Sequence, residues 1–156
     1  MKHLSKHHIL KLCMIFPAVI SLCSFVLSPH IYDALSDFKT PPFMPDASLF
    51  FCLMVFFHIL FGISAYYVIT TSSYHKIHLV KFYIASCFFL FFWPILLFEY
   101  QILFFALVWS MALILINLYL FLVLLSEHLK PAILMIPYLF WSLFLCCLNL
   151  GFLLLN

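Results

Sequence analysis

The chain has 156 residues, of which 68% are hydrophobic and 8% carry a charged side chain. With a mean hydropathy of +1.25, this much apolar surface cannot be hidden inside a soluble globule of the same size, so the composition excludes a water-soluble domain and predicts an integral membrane protein. The formal net charge of +2 is spread over tails and loops, and nothing indicates nucleic-acid binding.

Five apolar segments follow one another, each close to the roughly 20 residues that cross a bilayer as a helix. We predict an all-α integral membrane protein, a single domain over residues 1–156 in which five transmembrane helices form a bundle. The predicted helices cover residues 9–28, 47–70, 77–98, 102–125 and 131–155.

Local signals mark the ends of some of these helices. Asp46 stands where the second helix begins, and Pro131 suits the first turn of the fifth. Pro94 falls inside the third helix and removes a backbone donor, so we expect a kink that begins near Leu90.

The first helix follows a basic N-terminus and could pass for a signal peptide. Because residues 28–30 offer no obvious cleavage site, we expect it to be retained. The positions of the lysines predict that the N-terminus faces the cytoplasm if the membrane is bacterial, since short basic loops stay on that side. Six of the seven would lie at the end of the bundle that holds the N-terminus: Lys2, Lys6, Lys11, Lys76, Lys81 and Lys130.

The connection between the first two helices is long and rich in proline. Residues 29–46 contain Pro29, Pro41, Pro42 and Pro45. A loop longer than about 12 residues is usually functional or disordered. Because proline restricts φ, we expect an ordered flap that becomes more protected when a ligand binds. A solvated connector is the alternative.

The sequence contains no motif of a soluble enzyme class, so we name no catalytic residue. The six cysteines lie in apolar runs without the spacing of paired ligands. This pattern favours free thiols that act as small hydrophobic side chains, and we predict neither disulfides nor a metal site.

One face of the fifth helix combines aromatic, amide and aliphatic side chains. At about 100° per residue, Tyr138, Trp141, Leu145, Leu148 and Asn149 fall within an arc of roughly 100°. Polar groups kept in a membrane helix normally point into the bundle, so this face is a candidate binding wall. Phe140, placed on another face, would contribute much less.

Three stretches carry a resemblance to a known family. The pattern Pro137-Tyr138-x-x-Trp141-x-x-Phe144-x-x-x-Leu148-Asn149 resembles the fifth-helix signature of the TspO/MBR family, the tryptophan-rich sensory proteins and mitochondrial translocator proteins. The run Tyr32, Leu35, Lys39, Pro41, Phe43 and Pro45, followed by Phe50 and Gly62-Ile63-Ser64-Ala65-Tyr66, is similar to the family's first loop and second helix. Trp93 with Leu96 and Phe98 resembles its third helix.

The resemblance implies a pocket covered by the first loop, which holds flat hydrophobic molecules such as protoporphyrin, haem or cholesterol. It also implies a homodimer and a role as sensor, carrier or ligand-disposal factor, in a bacterial cell envelope membrane or the mitochondrial outer membrane. Some family members promote breakdown of bound protoporphyrin, and no cofactor is required. The expected ligand-binding residues are Phe43, Pro45, His58, Trp93, Tyr138, Trp141, Leu145 and Asn149.

The sequence also departs from the family pattern. Leu150 and Leu154 replace the tyrosine and arginine of the cholesterol motif, which makes a sterol less favoured than a porphyrin. His58 replaces a tyrosine, and either coordinates haem iron, binds a propionate or is a structural histidine. A small secondary transporter or membrane assembly subunit is the alternative function, although only His58 could couple an ion at membrane depth.

Overall fold

The computed structural model describes residues 5–71 and 75–156, and only the backbone of Tyr32. Within these residues the chain forms helices and no strands. In chain order they are α1 (Lys6–Val26), α2 (Ile31–Asp37), α3 (Ala47–Thr70), α4 (Lys76–Pro94), a π-helical turn (Ile95–Glu99), α5 (Leu103–Glu127) and α6 (Leu129–Leu155). Five spans are long and apolar enough to cross a membrane, which confirms the predicted five-helix membrane protein.

The predicted boundaries agree with the observed ones to within about one turn. The sequence did not predict the short helix α2, which lies in the proline-rich connection. Lys2, used to predict the orientation, lies outside the described residues.

The helix ends follow their local chemistry. The Asp46 carboxylate accepts a hydrogen bond from the Leu49 N–H at 3.4 Å and caps α3, and Pro131 lies in the first turn of α6. The irregularity expected near Leu90 comes later, because α4 continues with helical geometry to Pro94. The π-helical turn follows, and there the Tyr100 N–H donates to the carbonyl of Ile95 at 3.0 Å.

Each spanning helix packs mainly against two others. Helix α3 lies between α1 and α6, and α5 lies between α6 and α4, which returns to α1. Helices α1 and α3 approach closely at Gly62, which faces the backbone of Cys13 and Met14. Small residues allow such contacts between membrane helices, where dispersion replaces the hydrophobic effect.

Polar side chains also link the helices. The Ser64 hydroxyl of α3 lies 2.6 Å from that of Tyr83 in α4 and donates to the carbonyl of Pro131 in α6 at 2.8 Å. Between α4 and α5, Trp109 Nε1 donates to the carbonyl of Phe89 at 2.7 Å. Because lipid offers these groups no partner, the hydrogen bonds fix how the helices pack together.

Candidate ligand pocket beneath the first loop

A segment of the first connection, residues 38–46, lies on the C-terminal part of α6 and is called the lid below. The backbone N–H of Lys39 donates to Asn156 Oδ1 at 2.8 Å, and Asn156 Nδ2 donates back to the Lys39 carbonyl at 3.2 Å. A Cβ at Gly151 would meet Pro41 Cγ at 2.7 Å and Phe43 Cζ at 3.3 Å. The lid therefore touches α6 directly where glycine leaves room.

The start of the same connection is held by contacts between His30 and Glu99. The Glu99 carboxylate accepts from the backbone N–H of His30 at 3.3 Å and lies 2.7 Å from its Nδ1. This pair ties the beginning of α2 to the π-helical turn. The connection is thus attached at both ends, to α4's continuation and to α6.

A cavity of about 360 Å³ lies between the lid, α3 and α6. Its lining residues are Phe43, Pro45, Leu53, Phe57, Phe140, Trp141 and Phe144. Phe43 is 51% exposed and Phe140 67% exposed, so the rim of the cavity faces the surface that lipid would cover. A hydrophobic ligand would reach it sideways from the bilayer.

Trp141 forms the centre of the cavity wall. Its ring stacks on Phe57 of α3 at 5.1 Å with an interplanar angle of 25°, and on Phe144 of α6 at 5.3 Å and 24°. Such a row of broad apolar faces suits offset stacking with a planar ligand.

Of the eight residues expected to bind ligand, three line this cavity: Phe43, Pro45 and Trp141. Trp93 is enclosed behind them. The ring of Phe50 separates it from the wall, since Phe50 lies 6.4 Å from Trp93 and 5.3 Å from Trp141.

Tyr138 and His58 form a second group, deeper in the bundle. Their rings meet edge to face at 5.6 Å, and Tyr138 also packs on Phe61 at 4.2 Å. His58 Nδ1 is hydrogen-bonded to the carbonyl of Met54 one turn earlier. Neither ring lines the cavity beneath the lid.

Leu145 and Asn149 are buried against the rest of the bundle. Asn149 Nδ2 donates to the carbonyl of Leu145 at 2.9 Å, within the same helix. The predicted face of α6 does point inward, because Tyr138, Trp141, Leu145, Leu148 and Asn149 are all buried. Only Trp141 of these five lines the cavity.

Phe140, predicted on another face of the helix, is 67% exposed and lies at the rim of the cavity beside Trp141. The cavity lies at the edge of α6's inward face, so the residue one step round the helix forms its rim. Sequence reasoning also missed Leu53, Phe57 and Phe144. The four-residue spacing of Leu53 and Phe57 was the available signal, since it places both on one side of α3.

Several buried polar atoms around this region have no hydrogen-bond partner among the described residues. They are the indole N–H groups of Trp93 and Trp141, His58 Nε2 and Asn149 Oδ1. The Tyr138 hydroxyl is near Ser86 but outside ordinary hydrogen-bond geometry. An unpaired buried polar group costs about 1–3 kcal/mol, and of these residues only Trp141 lines the cavity.

Replacing Asn156 with alanine is expected to loosen the lid, because both hydrogen bonds to the Lys39 backbone are lost. A net loss of about 1 kcal/mol corresponds to roughly fivefold faster amide exchange. Hydrogen exchange at Lys39 and Met44 measures this, with Ser126→Ala at the opposite end of the bundle as the control. Unchanged protection at Lys39 would show that the Asn156 side chain does not hold the lid.

The fold and pocket define a multi-pass integral membrane protein with an aromatic cavity between two spanning helices and a loop. The model of the TspO/MBR family matches residues 12–155, so the chain belongs to this family. The family inferred from the three sequence stretches is thereby confirmed. A search of curated proteins returned no match.

Proposed function

We propose that the protein binds a porphyrin, such as protoporphyrin or haem, or a related flat hydrophobic ligand beneath the lid. The observation that carries the proposal is the stack of Phe57, Trp141 and Phe144 beside a cavity whose rim faces the bilayer. Binding there would let the protein act as a sensor, carrier or ligand-disposal factor.

The size of the cavity supports a lid that moves. At about 360 Å³ it lies near the lower end of the roughly 300–1,000 Å³ typical of ligand pockets. A macrocycle with side groups would need more room, which displacement of Phe43 and Pro45 would supply. The lid is hydrogen-bonded to the end of α6 through one side chain, that of Asn156. A bound ligand can replace this contact.

The chemistry of the wall favours a porphyrin over a sterol. Stacked rings gain most from a flat partner with a π-system, and the unpaired indole N–H of Trp141 would favour an acceptor atom at its edge. Leu154, at the position of the sterol motif's arginine, is 75% exposed on the outer face of α6 and away from the cavity.

The Trp141→Ala variant is expected to bind protoporphyrin about 5–150-fold more weakly, as for the loss of about 1–3 kcal/mol from a large aromatic contact. Titration in detergent followed by protoporphyrin absorbance measures the affinity without depending on the removed tryptophan. Phe104→Ala is the matched control, because Phe104 is an exposed ring on α5. Phe140→Ala should fall between the two.

Equal affinities for the Trp141→Ala and Phe104→Ala proteins would remove the cavity beneath the lid as the binding site. Failure of the wild-type protein to bind protoporphyrin would reject the proposed ligand class.

The His58→Phe variant is expected to leave the Soret band of bound haem unchanged. In the described conformation the imidazole is fully buried and lies outside the cavity beneath the lid, so a haem bound in that cavity would not reach its unpaired Nε2. A Soret shift in the variant, with metal-free protoporphyrin binding unaltered, would contradict this and assign iron coordination to His58. A parallel loss of both ligands would indicate a contact with the porphyrin's propionates.

A further inference from the structure

A second cavity, which shares no residue with the first, lies between α1, α3 and α4. It has a volume of about 360 Å³ and is bounded by residues 12–17 of α1, by Phe61, Ala65 and Ile69 of α3, and by residues 80–87 of α4. These positions are in the half of the bundle nearest the N-terminus of α1. We call this cavity the α1–α4 crevice.

The crevice follows from how α1 sits on its neighbours. At Gly62 the backbone of α1 presses against α3 so closely that an added Cβ would lie 2.1 Å from the carbonyl oxygen of Cys13. Helix α1 packs against α3 more extensively than against α4. The space left between α1 and α4 is the crevice.

The lining residues offer a ligand only weak polar groups, the thiols of Cys13 and Cys87. The one hydroxyl among them, that of Tyr83, is paired with Ser64, which in turn donates to the carbonyl of Pro131. A further cavity of about 240 Å³ shares Phe16, Ile84 and Cys87 with the crevice and extends it to Phe91. From Val80 to Phe91 the α4 axis rises about 16 Å, so the groove is long, narrow and apolar.

Two lysines of α4 lie at the end of the bundle that holds the crevice. Lys76 donates from Nζ to the carbonyl of Ile69, itself a lining residue, and the exposed Lys81 follows the lining residue Val80. Four of the acidic residues, Asp33, Asp37, Asp46 and Glu99, lie at the other end of the bundle. The fifth, Glu127, lies at the same end as the crevice and contacts His75.

We propose that the α1–α4 crevice is a binding site for an anionic phospholipid, separate from the pocket beneath the lid. One acyl chain lies along the apolar groove, and the phosphate lies beside Lys76 and Lys81. Basic pockets between membrane helices bind acidic lipid headgroups in this way. If the groove recognised only the acyl chain, the protein would not distinguish lipids by their headgroups. The lysines instead select lipids whose headgroup is negatively charged.

Native mass spectrometry of the full chain tests the proposal, after incubation in detergent with equal amounts of phosphatidylglycerol and phosphatidylcholine bearing the same acyl chains. The wild-type protein is expected to retain phosphatidylglycerol in preference. Each of Lys76→Gln and Lys81→Gln should reduce that preference about fivefold, as for roughly 1 kcal/mol per lysine near a membrane surface. Lys39→Gln, at the opposite end, should leave it unchanged.

A second pair of variants tests the groove itself. Ala65→Leu, which fills the crevice, should reduce retention of both lipids, whereas Ala85→Leu on α4, outside both cavities, should not. Protoporphyrin affinity should stay at the wild-type value in all these variants, since their positions are outside the other pocket. Equal retention of the two lipids by the wild-type protein, or a preference that survives loss of both lysines, would overturn the proposal.

Discussion

Replacing Gly62 with alanine is expected to destabilise the protein by about 3 kcal/mol or more, at the upper end of the cost of overpacking. The added methyl group would lie 2.1 Å from the Cys13 carbonyl oxygen and 2.8 Å from Met14 Cα. Both are backbone atoms of α1, which cannot turn aside as a side chain can. The helix must therefore move away from α3.

The higher helix propensity of alanine opposes this loss of stability. It favours folding by only roughly 0.5–1 kcal/mol relative to glycine, which does not offset the clash. Thermal unfolding in detergent, followed by near-ultraviolet circular dichroism, measures the balance. A variant as stable as the wild type would show that α1 and α3 can separate without cost.

Gly151→Ala is the matched control for this substitution. Its added methyl group would meet Pro41 Cγ at 2.7 Å, and Pro41 belongs to the lid, which is exposed over much of its length. We expect a smaller loss of stability and faster amide exchange in the lid. A larger loss than for Gly62→Ala would place the main packing constraint at the lid.

Replacing Trp93 with alanine is expected to cost about 3–5 kcal/mol of folding stability, the range for removing a large aromatic side chain from a packed core. Trp93 is among the largest fully buried side chains, and its ring contacts Phe25 of α1, Phe50 of α3 and Phe98 of the π-helical turn. Its loss removes contacts among three elements at once. Phe104→Ala, on the exposed face of α5, should cost far less.

The more conservative Trp93→Phe variant separates packing from ligand contact, because the smaller ring keeps most of the core filled. Since Phe50 lies between Trp93 and the cavity wall, protoporphyrin affinity should fall less than in the Trp141→Ala protein. A fall as large as that for Trp141→Ala would place Trp93 in contact with the ligand after all.

The position of Trp93 shows how far sequence reasoning about the site could go. The resemblance grouped Trp93 with Trp141 because both belong to family motifs, and helical periodicity placed Trp141 on an inward face. Periodicity gives the direction of a side chain but not its depth. Phe50, from another helix, covers Trp93, and that contact is not encoded in the spacing of either segment.

The lid also shows which features the sequence predicts and which depend on tertiary contacts. The prolines of residues 41–45 predicted a restricted loop, and Phe43 and Pro45 were expected at the ligand. Its attachment to Asn156, far along the chain, depends on the two segments meeting at one end of the bundle. Phe140 shows a related effect: periodicity placed it off the inward face, and it is exposed, but the lid lies on its side of α6, so it forms part of the rim.

By itself the sequence determined the class of protein, the five spanning segments and the inward face of α6, because each depends on the length of apolar runs or on the period of one helix. Tertiary structure alone decided which aromatic rings border a cavity and where the crevice opens. In a membrane helix the lipid-facing and protein-facing sides are both apolar, so hydrophobicity cannot tell them apart. Close backbone contacts such as that between Gly62 and Cys13 decide it instead.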